Sequence, residues 1–355
     1  MNQVHLGIIA SALLVSIGGC GGGGAGPVNP PPTPCTFTNP LASGADPWVV
    51  KQDGVYYYVQ SRNDGIWISK SAKLSEVITA SATQVWAAPA TGWNHTNIWA
   101  PELHFIDGHW YIYYAGGESG PPFIYQHAGV LQSTGTDALG TYVDKGMLYT
   151  GDSAGTGTGN RWSIDLTTAQ IGGQRYAVWS GWRQNAVTDR TPQQLYIARM
   201  ENPWTISTNR VELSAPTETW ERGTELDLQE GPEFLQHGGD VFLIYSTRES
   251  FLKDYRLGQL RLQSASADPL IPANWTKSGP VFLGNTAIFG VGHASFTTSP
   301  DNNENWIVYH SKVSESPGWD RVVRMQPFTW GASGPNFGEP TPTGQKVPRP
   351  AGECP

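Results

Sequence analysis

A short run of apolar and aromatic residues recurs five times along the chain, and this constrains the fold more than any other feature. The runs are residues 55–59 (VYYYV), 110–114 (WYIYY), 176–180 (YAVWS), 241–245 (VFLIY) and 306–310 (WIVYH). Their centres at 57, 112, 178, 243 and 308 lie 55, 66, 65 and 65 residues apart. Four are preceded by a dipeptide that supplies positive φ for a tight hairpin: Asp53-Gly54, Asp107-Gly108, Gly172-Gly173 and Gly238-Gly239. Asn302-Asn303 takes that place before the fifth. A strand-like segment precedes each turn (48–51, 103–106, 166–171, 233–236, 294–298), and another follows each pair (66–70, 129–133, 194–200, 258–263, 321–330). No repeat contains a stretch of helical period. Repeats of this length, each a small antiparallel sheet, predict an all-β, five-bladed β-propeller over residues 35–355, a single domain of about 64 residues per blade.

Composition points the same way. The 42 Gly and 27 Pro make up about a fifth of the chain, well above the usual share, and charged residues are only 15%. That excludes coiled coils and charge-rich disorder. The net charge of −8 leaves no basic face for nucleic acid.

Ahead of the repeats, residues 6–17 (LGIIASALLVSI) form an apolar run too short to span a bilayer and suited to the core of a secretion signal. It leads into Ile17-Gly18-Gly19-Cys20, which resembles a bacterial lipobox. The expectation is a signal peptide over 1–19, lipidation of Cys20 and a Gly/Pro-rich tether over 20–34 (GGGGAGPVNPPPTP after the cysteine). The alternative is an ordinary signal peptide with an incidental cysteine. Lipidation places an exported protein on the bacterial outer membrane or cell surface, and Gly21 rather than Asp after Cys20 favours the outer membrane. The membrane is then touched only through the lipid, and a monomer is expected. Cys35 and Cys354 remain, one at each end of the folded part, where a disulfide would clasp a ring-shaped fold; two unpaired thiols are the other reading.

The first strand of a propeller blade runs near the central axis, so residues at its head can meet around one pocket. Those heads carry Asp46 (GADPW), Glu102 (WAPEL), Asp165 (SIDL), Glu230 (QEGP) and His293 (GHAS). Crowded carboxylates cannot all ionise normally. One ionised carboxylate to activate water, and one protonated carboxyl to feed a leaving oxygen, are what glycoside hydrolysis requires.

This pattern resembles glycoside hydrolase family 43, five-bladed propeller enzymes acting on arabinose- and xylose-containing polysaccharides. The resemblance covers about residues 36–350. It implies Asp46 as general base, Asp165 as the residue that tunes and orients the acid, and Glu230 as general acid. It also implies inversion, with the two working carboxyls roughly 6.5–9.5 Å apart. The Glu102-bearing WAPELH and the closing DRVVRMQPFTW look like the exo-acting α-L-arabinofuranosidase branch, with arabinose-containing oligo- or polysaccharides as substrate. Endo-arabinanase, β-xylosidase and a non-catalytic carbohydrate-binding lipoprotein are the alternatives. No cofactor is required by the resemblance, and a structural calcium reached through water at His293 is implied by it.

Other roles stay open at this level. Glu233 and Glu225 compete with Glu230 for the acid, and Arg324 competes with Arg321 for a substrate or carboxylate contact. Strand alternation places the two arginines on opposite faces. Glu102 is expected to accept a substrate hydroxyl or to form a salt bridge. Trp99 and Trp162 are expected to stack on a sugar or to be buried between blades. His293 could also be a satisfied core histidine.

Overall fold

The computed structural model describes residues 35–62 and 65–354. The signal, the Cys20 lipidation site and the tether expected for residues 1–34 lie outside the described residues. Residues 35–354 carry five antiparallel sheets of four or five strands and a separate two-stranded ribbon. The longest α-helix among the described residues is the four-residue Leu74–Val77.

Blade 1 runs Trp48–Gln52, Val55–Arg62, Gly65–Ser71 and Ala82–Ala87; blade 2 runs Thr96–Ile106, His109–Gly117, His127–Ser133 and Tyr142–Met147. Blade 3 comprises Ser163–Ile171, Gln174–Gly181 and Gln194–Asn202, with Thr205–Ile206 and Val211–Ser214 both paired to the third strand. Blade 4 comprises Gln229–His237, Asp240–Thr247, Arg256–Leu262 and Trp275–Leu283. Blade 5 comprises Phe289–Thr298, Asn305–Lys312 and Arg321–Gly331, and its fourth strand, Ala42–Ser43, comes from the beginning of the described chain.

The second strand of each blade carries an apolar run largely buried on both faces, and its period of two divides the work. In blade 5, Trp306 and Val308 pack toward blade 1. Ile307 and Tyr309 point the other way and pack toward blade 4. In blade 3, Ala177 and Trp179 join blade 2, whereas Tyr176 and Val178 join blade 4. A further cluster joins blades 1 and 2 through Trp48, Ile66 and Trp110. The five interfaces therefore close a ring. Blade 1 is also tied by hydrogen bonds on both sides, from Trp48 Nε1 to the Leu103 carbonyl at 2.9 Å and from the Val49 N–H to Ser295 Oγ at 3.0 Å.

Ring closure uses chain ends that have little core of their own. Ala42 and Ser43 pair with Val323 and Val322, and Thr36–Thr38 pairs with Lys346–Pro348. The Asn39 side chain extends this seam, donating to the Met325 carbonyl at 2.8 Å and accepting from its N–H at 3.1 Å. Cys35 and Cys354 are bridged across 319 residues of sequence. In the loop-closure account such a bridge stabilises by about 6 kcal/mol.

Candidate active site

One residue at the inner end of each blade adopts left-handed backbone: Asp46 (φ 49°), Ala100 (41°), Asp165 (54°), Gly231 (52°) and His293 (46°). In blades 2 to 5 this residue sits inside a break in the pairing of the first two strands, between Trp99 and Glu102, Ile164 and Thr167, Glu230 and Glu233, and Gly292 and Ser295. The break is a β-bulge repeated around the ring, a device that bends a strand and re-aims its side chains. Left-handed backbone costs a non-glycine residue roughly 1–2 kcal/mol. Four of the five positions bear that strain. At the fifth, glycine avoids that strain, and a Cβ on Gly231 would also press on the His293 ring at 3.1 Å.

Asp46, Asp165, Glu230, His293 and Arg321 all line one cavity of about 520 Å³, with Trp99, Phe123, Trp162, Phe251 and Trp319 among its apolar walls. Residues 119 and 65 positions apart in sequence thus converge on one space.

Asp46 is held as an anion. Arg321 Nη1 and the Nδ1 atoms of His293 and His310 lie 3.2, 3.3 and 3.2 Å from its Oδ1. Burial pushes its pKa upward, but the pull of His293 and Arg321 outweighs this and holds the carboxyl well below the usual range. His310 also fixes the backbone: the Asp46 N–H donates to His310 Nδ1 at 3.1 Å. One ring nitrogen cannot accept that bond and donate to the carboxylate together. The bond with good geometry is the first, which leaves the ring proton on Nε2, a buried atom without a hydrogen-bond partner among the described residues. Burial lowers the His310 pKa to about 4, so the ring is neutral.

Asp165 and Glu230 show the opposite behaviour. Burial pushes both up to about 7. For Asp165 the neighbouring charges of Glu230 and Asp46 add to the rise, while His293 and the N–H of Gly231 oppose it. For Glu230, the charge of Asp46 adds, and Tyr255, Arg321 and Ser250 oppose. The expected rise of the Glu230 pKa therefore owes most to burial, and its mutual repulsion with Asp165 belongs to the pair. Both are therefore held toward the protonated form.

Of the two roles expected for Glu102, the structure shows an internal contact, to His104, and not a place in the cavity. It lies two residues past the left-handed Ala100, level with Thr167, Glu233 and Ser295 after their bulges, and it is absent from the cavity wall. Its Oε2 is 3.0 Å from His104 Nε2, and burial together with Glu233 pushes its pKa well up. The sequence motif placed it at the strand head, but the bulge moves it one ring along the axis. Glu233 sits at the same level, 3.3 Å from Thr167 Oγ1, and Glu225 pairs with Arg190 at 2.7 Å. Arg324 is buried away from the cavity against Ser311, Thr341 and Thr343.

Trp162 lines the cavity yet is only 3% exposed, with one face covered by Trp182 at 4.2 Å. Trp99 packs edge-on to Phe123 at 4.9 Å. Among the described residues no group of three or more His, Cys, Asp or Glu side chains is arranged to hold a metal. His293 Nδ1 lies 3.3 Å from Asp46 Oδ1, and an imidazole is a poor direct ligand for calcium, which takes six to eight oxygens.

His310 and Tyr255 are the contributors that sequence reasoning missed. Tyr255 is buried, stacks on His310 at 5.5 Å, and favours the ionised form of Glu230. Its hydroxyl makes no well-formed hydrogen bond to any described atom. His310 ends an apolar run that reads as core, and Tyr255 sits in the charged stretch KDYR ahead of a strand, where nothing marks it.

A propeller whose bulged inner strands gather one ionised carboxyl and two held toward the protonated form into a single hub cavity is the class of protein that fold and site define. The profile of glycosyl hydrolases family 43 matches residues 37–335, and the chain belongs to that family. It is 40% identical over 324 residues to an extracellular exo-alpha-(1->5)-L-arabinofuranosidase of Streptomyces avermitilis, covering 87% of this chain and 64% of that protein. It is 36% identical over 314 residues to alpha-L-arabinofuranosidase 43 of Humicola insolens, covering 84% and 62%. The chain thus matches just under two thirds of the length of these relatives. Among solved structures, an alpha-L-arabinofuranosidase from Lactobacillus brevis superposes with a TM-score of 0.78 at 31% identity, over 87% of this chain and 98% of that one.

Proposed function

We propose that this chain is an inverting, exo-acting α-L-arabinofuranosidase that frees terminal arabinofuranose from arabinan or arabinose-substituted plant polysaccharides. The observation that carries the reading is the division of the cavity's carboxyls into opposite environments: Asp46 held ionised by Arg321 and His293, and Glu230 pushed up to about 7. The names of the similar proteins supply the sugar.

In this reading Glu230 protonates the glycosidic oxygen as the bond to the anomeric carbon breaks, and Asp46 takes a proton from the water that attacks the opposite face. Asp46 is a weak base. That suffices, because a water attacking an oxocarbenium-like centre becomes strongly acidic as the new bond forms. Arg321 then serves chiefly to aim the carboxylate, and His310 holds the Asp46 backbone. Asp165, bound to the Gly231 N–H at 2.9 Å, orients the segment bearing Glu230 and shares its proton load.

Export, cleavage after residue 19 and lipidation of Cys20 belong to the same proposal, with the 20–34 tether holding the propeller off the membrane. The test of function is incubation with an aryl α-L-arabinofuranoside, an aryl β-D-xyloside and linear arabinan. Arabinose alone from the first and third, with nothing from the xyloside, is expected. Xylose release or oligosaccharide products from arabinan would overturn the reading.

A further inference from the structure

The aromatic residues of the cavity are not equally available. Trp162 is covered by Trp182 and Trp99 is engaged by Phe123, but Trp319 is 63% exposed while still lining the cavity, which places it at the mouth. An indole left in water forgoes burial free energy that a soluble protein ordinarily takes.

Its position is nonetheless built. The Gly318 N–H donates to the Phe251 carbonyl at 2.9 Å, and Lys312 Nζ donates to the Gly318 carbonyl. The Trp319 ring lies 5.2 Å from the Phe251 ring, which is itself capped by Arg190 at 5.5 Å. The Arg321 guanidinium, which holds Asp46 at 3.2 Å, is 5.6 Å from the indole, and its Nε donates to the Trp319 carbonyl at 3.3 Å. A braced, exposed aromatic plane thus stands beside the residues that hold the base.

The carboxyls fix where the glycosidic bond is cut, so the sugar beyond that bond must extend toward the mouth. Sugars present an apolar face of C–H groups that an indole plane can cover. We infer that Trp319, backed by Phe251, is the platform for the sugar on the leaving-group side of the scissile bond, so that the site selects oligosaccharides over small arabinofuranosides. This rests on the arabinofuranosidase reading and adds a second sugar-binding position to it.

The test is titration calorimetry of the Glu230→Gln protein with α-1,5-linked arabinotriose and with arabinose, alone and combined with Trp319→Leu or Trp319→Phe. Covering one sugar face should make arabinotriose bind about tenfold more tightly than arabinose. Trp319→Leu, which keeps bulk and loses the plane, should erase that ratio, and Trp319→Phe should keep most of it. A ratio that survives in Trp319→Leu, no ratio in the parent, or equal weakening of both ligands would overturn the inference. Cleavage plays no part in this measurement. Failure of the wild-type protein to release arabinose from arabinotriose would count against the parent reading alone.

Discussion

The backbone N–H of Gly231, at the start of blade 4, donates to Asp165 Oδ2, at the start of blade 3, across 2.9 Å. Both residues occupy the left-handed position of their blades. The bond therefore links two equivalent bulges and fixes Glu230, the neighbour of Gly231, relative to Asp165. Asp165 acts through a charge and through a hydrogen bond, and the two can be separated.

Asp165→Asn keeps an acceptor for the Gly231 N–H and removes the charge. Loss of a neighbouring anion makes it easier for Glu230 to ionise, so the alkaline limb of kcat/KM should move to lower pH, from about 7 in the wild type. Asp165→Ala should shift the limb likewise and lower kcat further, since the orienting bond goes too. A pH–rate profile of both variants checks this; an unmoved limb in Asp165→Asn would contradict it.

Glu230→Gln should lower kcat about 10²- to 10⁴-fold on substrates whose leaving group needs protonation. It should also stabilise the protein above neutrality. Glu230 has a folded pKa raised to about 7 from 4.5, so its contribution is fully present below pH 4.5 and is lost as pH rises through about 7. Gln has no such loss. The variant's Tm should match the wild type at pH 4 and exceed it at pH 8, as differential scanning calorimetry can show.

Arg321→Gln should move both limbs of the pH profile upward. Arg321 lowers the pKa of Asp46 and also opposes the rise at Glu230, so its removal lets both climb. Arg321→Lys should restore part of the shift while losing the bond to the Trp319 carbonyl. A fall in activity with neither limb displaced would mean that Arg321 serves another purpose.

Cys35→Ser, alone or with Cys354→Ser, should cost about 2–5 kcal/mol of stability without changing kcat at 25 °C. The bridge lies in the closing seam and its residues are not among those lining the cavity. Thermal melts with and without reductant measure the loss, and an equal Tm in both would show that the seam holds by strand pairing alone.

The blades were legible because each central strand is buried on both faces, so 110–114 and 241–245 stand out as unbroken apolar runs. Asp46, Asp165 and His293 were legible because the repeat interval aligns them. Glu102 was misplaced because a bulge adds residues without leaving a compositional mark. Its position level with Thr167 and Glu233 appears only in the strand register. The closing strand Ala42–Ser43 is two residues long, too short for any periodicity. His310 ends an apolar strand and reads as core, and only contact with Asp46, 264 residues away, reveals its part. Trp319 lies in a loop, where sequence does not say what an exposed ring faces.

The account depends on Asp46 and Glu230 working from opposite sides of one sugar, and the configuration of the first product tests that most directly. Proton NMR during rapid hydrolysis of an aryl α-L-arabinofuranoside should show β-L-arabinofuranose appearing first, before mutarotation. Initial accumulation of the α-anomer would contradict the account.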